Sequence, residues 1–454
     1  MRKNLVYVFA DQWRFHAMGC SGEDDVCTPF MDSFASDSLV CTGAVSSYPL
    51  CSPHRAALMT GKHPLSCGMW TNCKTGLNEK ICLSPDEITI HDVLHDAGYE
   101  TAYVGKWHLD ESEQNYSPVP HSGAQEWDAY TPPGERRHHI DFWYSYGAMN
   151  DHLHPHYWHD DERQIQVDKW SAQHDTDIAL QWLSERKNKD QPFSLFISWN
   201  PPHPPYDSIP SGMVSMRDRN IRENVPKEMR KDEVFLKNMR EYFAAVEGLD
   251  CQFGRIIDFL KTKGLYDDTV VVLSSDHGDC MGSHGLYGKN YWWDESIRIP
   301  LVIKADCFEK GSASDAVIAS EDQMPTILGI LGIEVPATCE GFNLTNILSG
   351  NKGASREYCY LSMIPGMPEQ AKAYSSRGMD RKCFGWRGIR TQRYTYIVDN
   401  GTVPGAVRRR FLFDSTSDPY QLNGKELSPD DEKAAYYDDL IRKTSAELND
   451  PFLL

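Results

Sequence analysis

Short apolar runs alternate with stretches of helical periodicity along the first part of the chain. Leu5–Ala10 is such a run, bounded by polar residues, which is typical of a strand buried on both faces. Further runs of this kind are Thr101–Val104, Phe193–Trp199 and Thr269–Leu273. Helices are predicted around Phe30–Ser38, from Pro53 to Gly61, and over Thr89–Ala97, Asp175–Ser184 and Glu241–Lys263. This alternation indicates an α/β fold with a large mixed, mostly parallel sheet sandwiched by helices.

A second, smaller unit is expected at the C-terminal end. A stretch containing glycine and serine, Leu348–Ala354, marks a plausible boundary. The elements predicted around it are a helix over Met324–Leu331, alternating runs over Arg393–Val398 and Arg410–Phe413, and a charged helix over Pro429–Leu448. We therefore expect a catalytic α/β domain over 1–350 and a C-terminal α+β subdomain with an antiparallel sheet over 351–454.

Residues 111–170 break this pattern. They are rich in proline, glycine, aromatic residues and histidine, without a clear period; the histidines include His138, His139, His152, His154, His156 and His159. Long connections without regular structure are often lids or binding loops, so we expect an insertion that shapes a substrate pocket. The alternative is a solvated surface loop with incidental histidines. Their spacing matches no pattern of metal ligands.

The charge balance limits the partners of the protein. The 454 residues include 46 basic and 65 acidic side chains, for a net charge of −19, which argues against binding to nucleic acid or to an anionic membrane. An anionic substrate would therefore need a local basic pocket. No apolar run approaches the length of a membrane span. Met1–Asn4 leads directly into the first apolar run without a signal peptide, and the thirteen cysteines form no Cys-x-x-Cys pair, so we expect a reducing, cytoplasmic location.

One cysteine stands in a distinctive setting. Tyr48–Leu50 predicts an extended approach, since the residue before a proline avoids the helical region. Pro53 suits the first turn of a helix, which Gly61 would end. Cys51 would then lie at the helix N-terminus, where unpaired N–H groups favour negative charge, with the cation of Arg55 about one turn further on. This setting suits a nucleophile or an anionic substrate.

Polar groups follow four of the predicted strands, and in open α/β sheets ligands bind beyond such strand ends. The groups are Asp11-Gln12, Lys106 with His108, His203, and Asp276-His277. Each alone is ordinary, because an Asp after a strand is commonly a cap or turn residue. Together they predict one site in which a hard divalent cation, calcium or magnesium, binds Asp oxygens and the Gln12 carbonyl. Arg55, Lys106 and Lys289 around the metal would suit a tetrahedral oxyanion in phosphoryl or sulfuryl transfer, which residue types do not separate.

Several motifs resemble those of a known family. Cys51-x-Pro53-x-Arg55, followed by Leu58–Gly61, resembles the signature of formylglycine-dependent sulfatases in the alkaline phosphatase superfamily, and Gly105–His108 looks like their second signature. Further matches are Pro201–His203, Ser275–Gly278, Lys289 with Glu295–Leu301, and Leu412–Asp414 with Asp418-Pro419. They run in order through nearly the whole chain. The resemblance implies an alkaline-phosphatase-like fold.

The resemblance also implies roles for individual residues. A maturation enzyme would oxidise Cys51 to formylglycine, whose hydrated aldehyde is the nucleophile. The implied ligands of a calcium ion are Asp11, Gln12, Asp276, His277 and an oxygen of residue 51. The implied catalytic residues are Arg55 and Lys106, which support the hydrate, His203 and Lys289, which contact the sulfate and the leaving oxygen, and His108, which takes the proton of the second hydroxyl. Three positions depart from the commonest pattern: His54 replaces serine, Gln12 replaces aspartate and His277 replaces asparagine.

The leading hypothesis is a sulfuric ester hydrolase that acts on a carbohydrate sulfate, either a small molecule or an oligosaccharide. The carbohydrate preference rests on the family resemblance and on the aromatic residues of the insertion, because aromatic faces suit sugar rings. One alternative is a phosphonate monoester or phosphodiester hydrolase of the same superfamily. An alternative of another class is a metal-stabilised protein that binds anions or sugars without turnover, with Cys51 left as a thiol.

Overall fold

A mixed sheet of eight strands dominates the computed structural model, which describes residues 2–77 and 79–454. The first ten strands in chain order are β1 (Asn4–Asp11), β2 (Leu39–Cys41), β3 (Glu100–Lys106), β4 (Phe142–Tyr146), β5 (His156–Tyr157), β6 (Ile165–Gln166), β7 (Phe193–Pro202), β8 (Thr269–Ser275), β9 (Leu301–Lys304) and β10 (Ser312–Ser314). The sheet order is β10-β2-β9-β8-β1-β7-β3-β4, while β5 and β6 pair separately. Only β9 runs antiparallel to its neighbours, so the sheet is mostly parallel.

Helices cover both faces of this sheet. The helices are α1 (Pro29–Ala35), α2 (Cys51–Thr60), α3 (Ile90–Asp96), α4 (Ser171–Glu185), α5 (Glu233–Thr262), α6 (Asp294–Ile297), α7 (Gln323–Leu331), α8 (Thr345–Leu348), α9 (Pro368–Ser375) and α10 (Glu432–Glu447). Along β1, Val6 and Val8 pack into a core with α1, α4 and α5, while Leu5 and Tyr7 pack into a second core with α2, α3 and α7. Burial on both faces explains why the central strands are apolar without alternation.

A second sheet of five antiparallel strands follows in the chain. Its strands are β11 (Cys359–Met363), β12 (Trp386–Arg390), β13 (Tyr394–Asp399), β14 (Arg409–Asp414) and β15 (Lys425–Glu426). One face packs against α10 through Tyr396 and Ile441. The other side packs against the segment before α2, where Tyr48 joins a cluster with Leu361 and Trp386. The second sheet thus lies next to the N-terminus of α2.

The predicted fold class is confirmed, and the structure adds elements that the pattern missed. The segment 111–170 contains β4, an aromatic strand that pairs in parallel with β3 at the edge of the main sheet. Helix α5 begins at Glu233 rather than Glu241, because Asp232 caps its N-terminus by accepting a hydrogen bond from the Phe235 N–H. The first turns of α5 also carry apolar residues, Val234, Phe235, Leu236 and Met239, of which Phe235 and Met239 are buried, so the predicted helix began too late. Among the described residues, no helix combines the length and apolar character needed to cross a bilayer.

Candidate active site

The four strand ends that carry polar groups lie side by side. Strands β8, β1, β7 and β3 are consecutive in the sheet and parallel to one another. Asp11 is the last residue of β1, Lys106 is the last residue of β3, and Asp276 directly follows β8. The carboxyl ends of neighbouring parallel strands meet at one edge, which brings these side chains together as the sequence predicts.

Gly105 allows the close approach of β3 to β7 at this edge. Its φ is 100°, and a Cβ atom there would lie 2.1 Å from the Ser198 carbonyl oxygen. Only glycine meets both conditions without strain, and the next residue then places its ammonium group in the site. The Lys106 Nζ lies 2.7 Å from Asp11 Oδ2 and 3.2 Å from Asn200 Oδ1.

Asp11 and Asp276 are buried, and each directs one carboxylate oxygen toward a cation and the other toward the centre of the site. Arg55 donates to Oδ2 of Asp276 at 3.0 Å and to Oδ2 of Asp11 at 3.2 Å. The Oδ1 atoms face the other way, at 3.5 Å and 3.6 Å from the Nε2 of His277. The structure therefore directs one oxygen of each carboxylate toward a common point with His277.

These carboxylates have opposite pKa shifts. Burial disfavours ionisation of Asp11, but the ammonium groups of Lys106 and Lys289 outweigh it and hold its pKa well below the usual value. Burial and the nearby charge of Asp11 raise the pKa of Asp276 to about 6. A cation that binds between the two groups would relieve this repulsion.

The donor set fits a divalent cation. Ligand atoms of Asp11, Cys51, Asp276 and His277 all lie within 4.8 Å of one another, the one such group found among residues 2–77 and 79–454. The His277 Nδ1 lies 3.0 Å from the Gly278 carbonyl oxygen, to which it donates, so Nε2 carries the lone pair that a metal requires. The Gln12 Oε1 is buried without a hydrogen-bond partner in the described structure. A buried carbonyl oxygen without a donor is expected where an ion binds.

The orientation of the Gln12 amide depends on Asp279, a residue that the sequence analysis did not single out. Gln12 Nε2 donates to Asp279 Oδ2 at 2.6 Å, which turns Oε1 away from Asp279. The other oxygen of Asp279 accepts the N–H groups of Met281 at 2.7 Å and Gly288 at 2.9 Å. Gln12 also has a φ of 67°, an uncommon value for a residue with a side chain, which is consistent with a functional position.

Cys51 lies at the first position of α2, as predicted, and is buried. Its Sγ is 3.0 Å from Lys289 Nζ and 3.3 Å from His277 Nε2. Burial and Asp11 act to raise the pKa of the thiol, but Lys289 and Lys106 outweigh them and hold it well below the usual value. Residue 51 is therefore placed to carry negative charge.

The two predicted catalytic histidines have defined tautomers. The His108 Nε2 lies 3.0 Å from the Cys73 carbonyl oxygen, to which it donates, so the buried Nδ1 keeps a lone pair and has no partner in the described structure. The His203 Nδ1 lies 2.7 Å from the Pro204 carbonyl oxygen, which leaves Nε2 available. Burial lowers the pKa of both rings, and for His203 the charges of Lys289 and Lys106 lower it further.

Arg55 and His54 are adjacent in α2 but make different contacts: Arg55 binds the site carboxylates, and His54 binds hydroxyl groups outside the site. Arg55 directs its remaining donors to the Lys106 carbonyl at 2.8 Å and to Ser198 Oγ at 2.7 Å, so its hydrogen bonds hold the carboxylates and strands rather than Cys51. The His54 Nδ1 lies 2.9 Å from the hydroxyl groups of Ser46 and Ser320. His54 is thus a buried packing residue that joins α2 to neighbouring segments.

Two cavities adjoin this site. A cavity of about 30 Å³ is lined by Cys51, Lys106, His108 and His203, and also by 111–170 residues including Trp127. A larger cleft of about 530 Å³ lies beside Lys289, between the 290–293 segment and the second sheet. Arg55, Lys106 and Lys289 outnumber the two carboxylates. The site is therefore the local basic pocket that an anionic substrate needs in a protein of net charge −19.

Comparison with known proteins identifies the family. The Sulfatase family model matches residues 3–333, and the model described as N-sulphoglucosamine sulphohydrolase, C-terminal, matches residues 282–448. An endo-4-O-sulfatase of Bacteroides thetaiotaomicron is 33% identical over 99% of this chain and 93% of its own. An ulvan-active sulfatase of Formosa agariphila is 32% identical over 99% of this chain and 82% of its own.

Solved structures agree with this assignment. A structure from work on the metabolism of glycosaminoglycans by Bacteroides thetaiotaomicron has a TM-score of 0.85 and 31% identity, and covers 99% of this chain and 97% of that one. A phosphonate monoester hydrolase of Agrobacterium radiobacter has a TM-score of 0.73 at 20% identity, covers 99% of this chain and 95% of that one, and shares the fold alone. The chain is an enzyme of the sulfatase family, whose members typically use a formylglycine and a divalent metal.

Proposed function

We propose that this sulfatase hydrolyses a sulfate ester on a carbohydrate, with Cys51 converted to formylglycine by a maturation enzyme and with Ca²⁺ as the bound cation. The observation that carries the proposal is the convergence of Cys51 with Asp11, Asp276 and His277, beside the unpartnered carbonyl of Gln12. The carbohydrate class is supported by the relatives named for 4-O-sulfated and ulvan substrates.

Each residue around position 51 is assigned a separate role in the reaction. Lys106 and Lys289 supply positive charge to the sulfate oxygens as negative charge develops. His203 lines the small cavity beside Cys51 and, with Nδ1 bound to a carbonyl, keeps Nε2 free; it is assigned to protonate the leaving alcohol. His108, with its free Nδ1 lone pair, is assigned to take a proton from residue 51 as sulfate is released. Arg55 holds the two carboxylates in place.

Formylglycine would supply, as its hydrate, a geminal diol: attack of one oxygen on sulfur would break the bond to the leaving alcohol, and loss of the proton from the other would release sulfate by C–O cleavage and restore the aldehyde. A plain thiol or alcohol would remain sulfated. The chemical state of residue 51 is therefore the most direct test. Mass spectrometry of the peptide that contains residue 51, from protein made in its native host, should show the aldehyde. An unmodified thiol throughout would instead support the binding protein considered above.

The proposed ligands are Asp11, Gln12, Asp276, His277 and an oxygen of residue 51, and the cation would stabilise negative charge on the nucleophile and the sulfate. Because oxygen atoms predominate, Ca²⁺ is favoured, with Mg²⁺ as the second candidate. Chelator treatment should remove aryl sulfate turnover, and added Ca²⁺ should restore it more fully than Mg²⁺. A sample passed through the same exchange without chelator is the control. Full activity in excess chelator would contradict the metal assignment.

Turnover of matched aryl esters distinguishes a sulfatase from a phosphonate hydrolase. Aryl sulfate and aryl phosphonate with the same leaving group differ only in the transferred group, so kcat/KM compares the two reactions directly. We expect the sulfate ester to react faster. Faster turnover of the phosphonate would overturn the proposal in favour of the alternative activity.

A further inference from the structure

Lys74 is a buried cation that forms no salt bridge with any residue that the structure describes. Lys74 is only 4% exposed, yet among the residues that the structure describes no carboxylate lies within 4.0 Å of its Nζ. Its recorded polar contact is the weak acceptor Sδ of Met367, at 3.4 Å. By contrast, the neighbouring ammonium groups of Lys106 and Lys289 both have Asp11 nearby. The three hydrogen-bond donors of Lys74 are therefore largely unused.

Burying an unpaired ammonium group costs free energy. Burial lowers the pKa of Lys74 to about 8. The Trp127 ring, whose centroid is 5.1 Å from Nζ, offsets part of this cost by a cation–π interaction but accepts no strong hydrogen bond. An anionic group of a ligand would supply the negative charge and the strong hydrogen-bond acceptor that the Lys74 ammonium lacks.

Lys74 lies at a cleft in which such an anion could bind. Lys74 lines the cleft of about 530 Å³, a volume within the ordinary range of ligand pockets, about 300–1,000 Å³. The other residues that matter here are Lys289, Tyr291, Trp292, Trp293 and Trp386. The Lys289 ammonium lies 3.0 Å from Cys51 Sγ, so one end of the cleft adjoins the reacting position. The walls are aromatic, which suits sugar rings.

We propose that this cleft binds a second anionic group of the substrate, a carboxylate or sulfate on a sugar near the scissile ester, with Lys74 as its counter-ion. The inference rests on the proposed hydrolysis of carbohydrate sulfates and narrows the substrate to polyanionic glycans. A lysine serves either anion, because its ammonium is a point charge rather than a planar fork. Discrimination arises because a neutral sugar leaves the buried ammonium unsatisfied.

Binding measured without turnover tests the cleft. In Cys51→Ala protein, titration calorimetry compares sulfated disaccharides that contain a uronic acid with the same disaccharides after reduction of the carboxyl group to an alcohol. We expect at least one acidic disaccharide to bind about 10- to 100-fold more tightly than its reduced form, as a charged hydrogen bond predicts. A second series with one or two sulfates tests whether a sulfate serves in place of the carboxylate.

The substitution Lys74→Met should reduce this preference to about threefold or less, whereas Lys74→Arg, which keeps the charge, should retain most of it. The matched control is Lys382→Met. Its Nζ lies 5.2 Å from the centroid of the Trp70 ring, a similar cation–π contact, but Lys382 does not line the cleft. The control should keep the full preference. Thermal melting of each variant verifies folding.

The outcomes separate this inference from the proposed function. Equal binding of every acidic and reduced pair by the parent protein, or an unchanged preference in Lys74→Met, would overturn the inference. If Lys74→Met fails to fold, loss of the preference in Lys74→Arg would also count against it, because the charge is retained. Absence of aryl sulfate turnover by the matured enzyme would overturn the proposed function, while the calorimetric comparison would still decide whether the cleft binds anions.

Discussion

Replacement of Asp279 by asparagine should weaken metal binding without any change to a proposed ligand. Asp279 Oδ1 accepts two backbone N–H groups, at 2.7 Å and 2.9 Å, so an amide nitrogen cannot occupy that position. The side-chain nitrogen of the introduced asparagine must then face Gln12 Nε2, which is 2.6 Å from the present oxygen, and two donors would oppose each other. The Gln12 amide relieves this by turning over, which directs its NH₂ group at the cation.

The expected loss follows from the general effect of residues that orient metal ligands. Such changes typically cost 10- to 100-fold in metal affinity, or about 1.4 to 2.8 kcal/mol. Chelator-stripped Asp279→Asn and parent protein are titrated with Ca²⁺, with the rise in melting temperature as the measure of binding. Saturating Ca²⁺ should restore most of the aryl sulfate kcat, a recovery that a merely misfolded variant would not show.

Tyr206→Phe provides a matched control. The Tyr206 hydroxyl donates to the same Asp279 Oδ2 at 2.6 Å, but its loss leaves the bond to Gln12 in place. The Ca²⁺ affinity of this variant should stay within about threefold of the parent, since the Asp279 carboxylate still accepts the hydrogen bond that orients the Gln12 amide. A Ca²⁺ affinity in Asp279→Asn equal to that of the control would refute the orientation argument.

Three other substitutions have distinct expected effects. Cys51→Ala should abolish sulfate ester turnover while the melting temperature stays close to that of the parent; measurable turnover would remove residue 51 as the nucleophile. His203→Ala should lower kcat/KM more for alkyl sulfates than for activated aryl sulfates, because poor leaving groups need protonation, and equal losses would refute that role. Arg387→Met should cost about 3–5 kcal/mol in urea unfolding, because it leaves the fully buried Asp450 carboxylate unpaired; a loss below about 1 kcal/mol would contradict this.

The sequence was sufficient to predict that these side chains lie together, because they stand at strand ends. Asp11, Lys106 and Asp276 follow apolar runs whose burial is visible in the sequence, and parallel pairing brings such ends together. Cys51 was placed at a helix N-terminus from the neighbouring prolines and Gly61. These inferences needed only local signals and one general rule of sheet architecture.

The residues that the sequence analysis missed act through contacts set by tertiary structure. Asp279 follows Asp276 in the same turn, but its bonds to Gln12 and Gly288 depend on how two loops meet. Lys74 and Trp127 lie in segments without periodicity, and their contact joins residues far apart in the chain. Strand β4 was hidden by the irregular composition of 111–170. The assigned roles of the site residues, the 1–350 and 351–454 division and the cellular location stay predictions.

The position of β1 in the sheet has a consequence for the timing of biosynthesis. β1 pairs with β7 and β8, so this strand does not have both of its neighbours until residue 275 has been made. At 5–20 residues per second, that residue follows residue 51 by roughly 10 to 45 s. In the finished fold Cys51 is only 1% exposed and beyond the reach of another protein's active site. An enzyme that modifies residue 51 must therefore act on the growing or newly released chain, before the sheet closes around it.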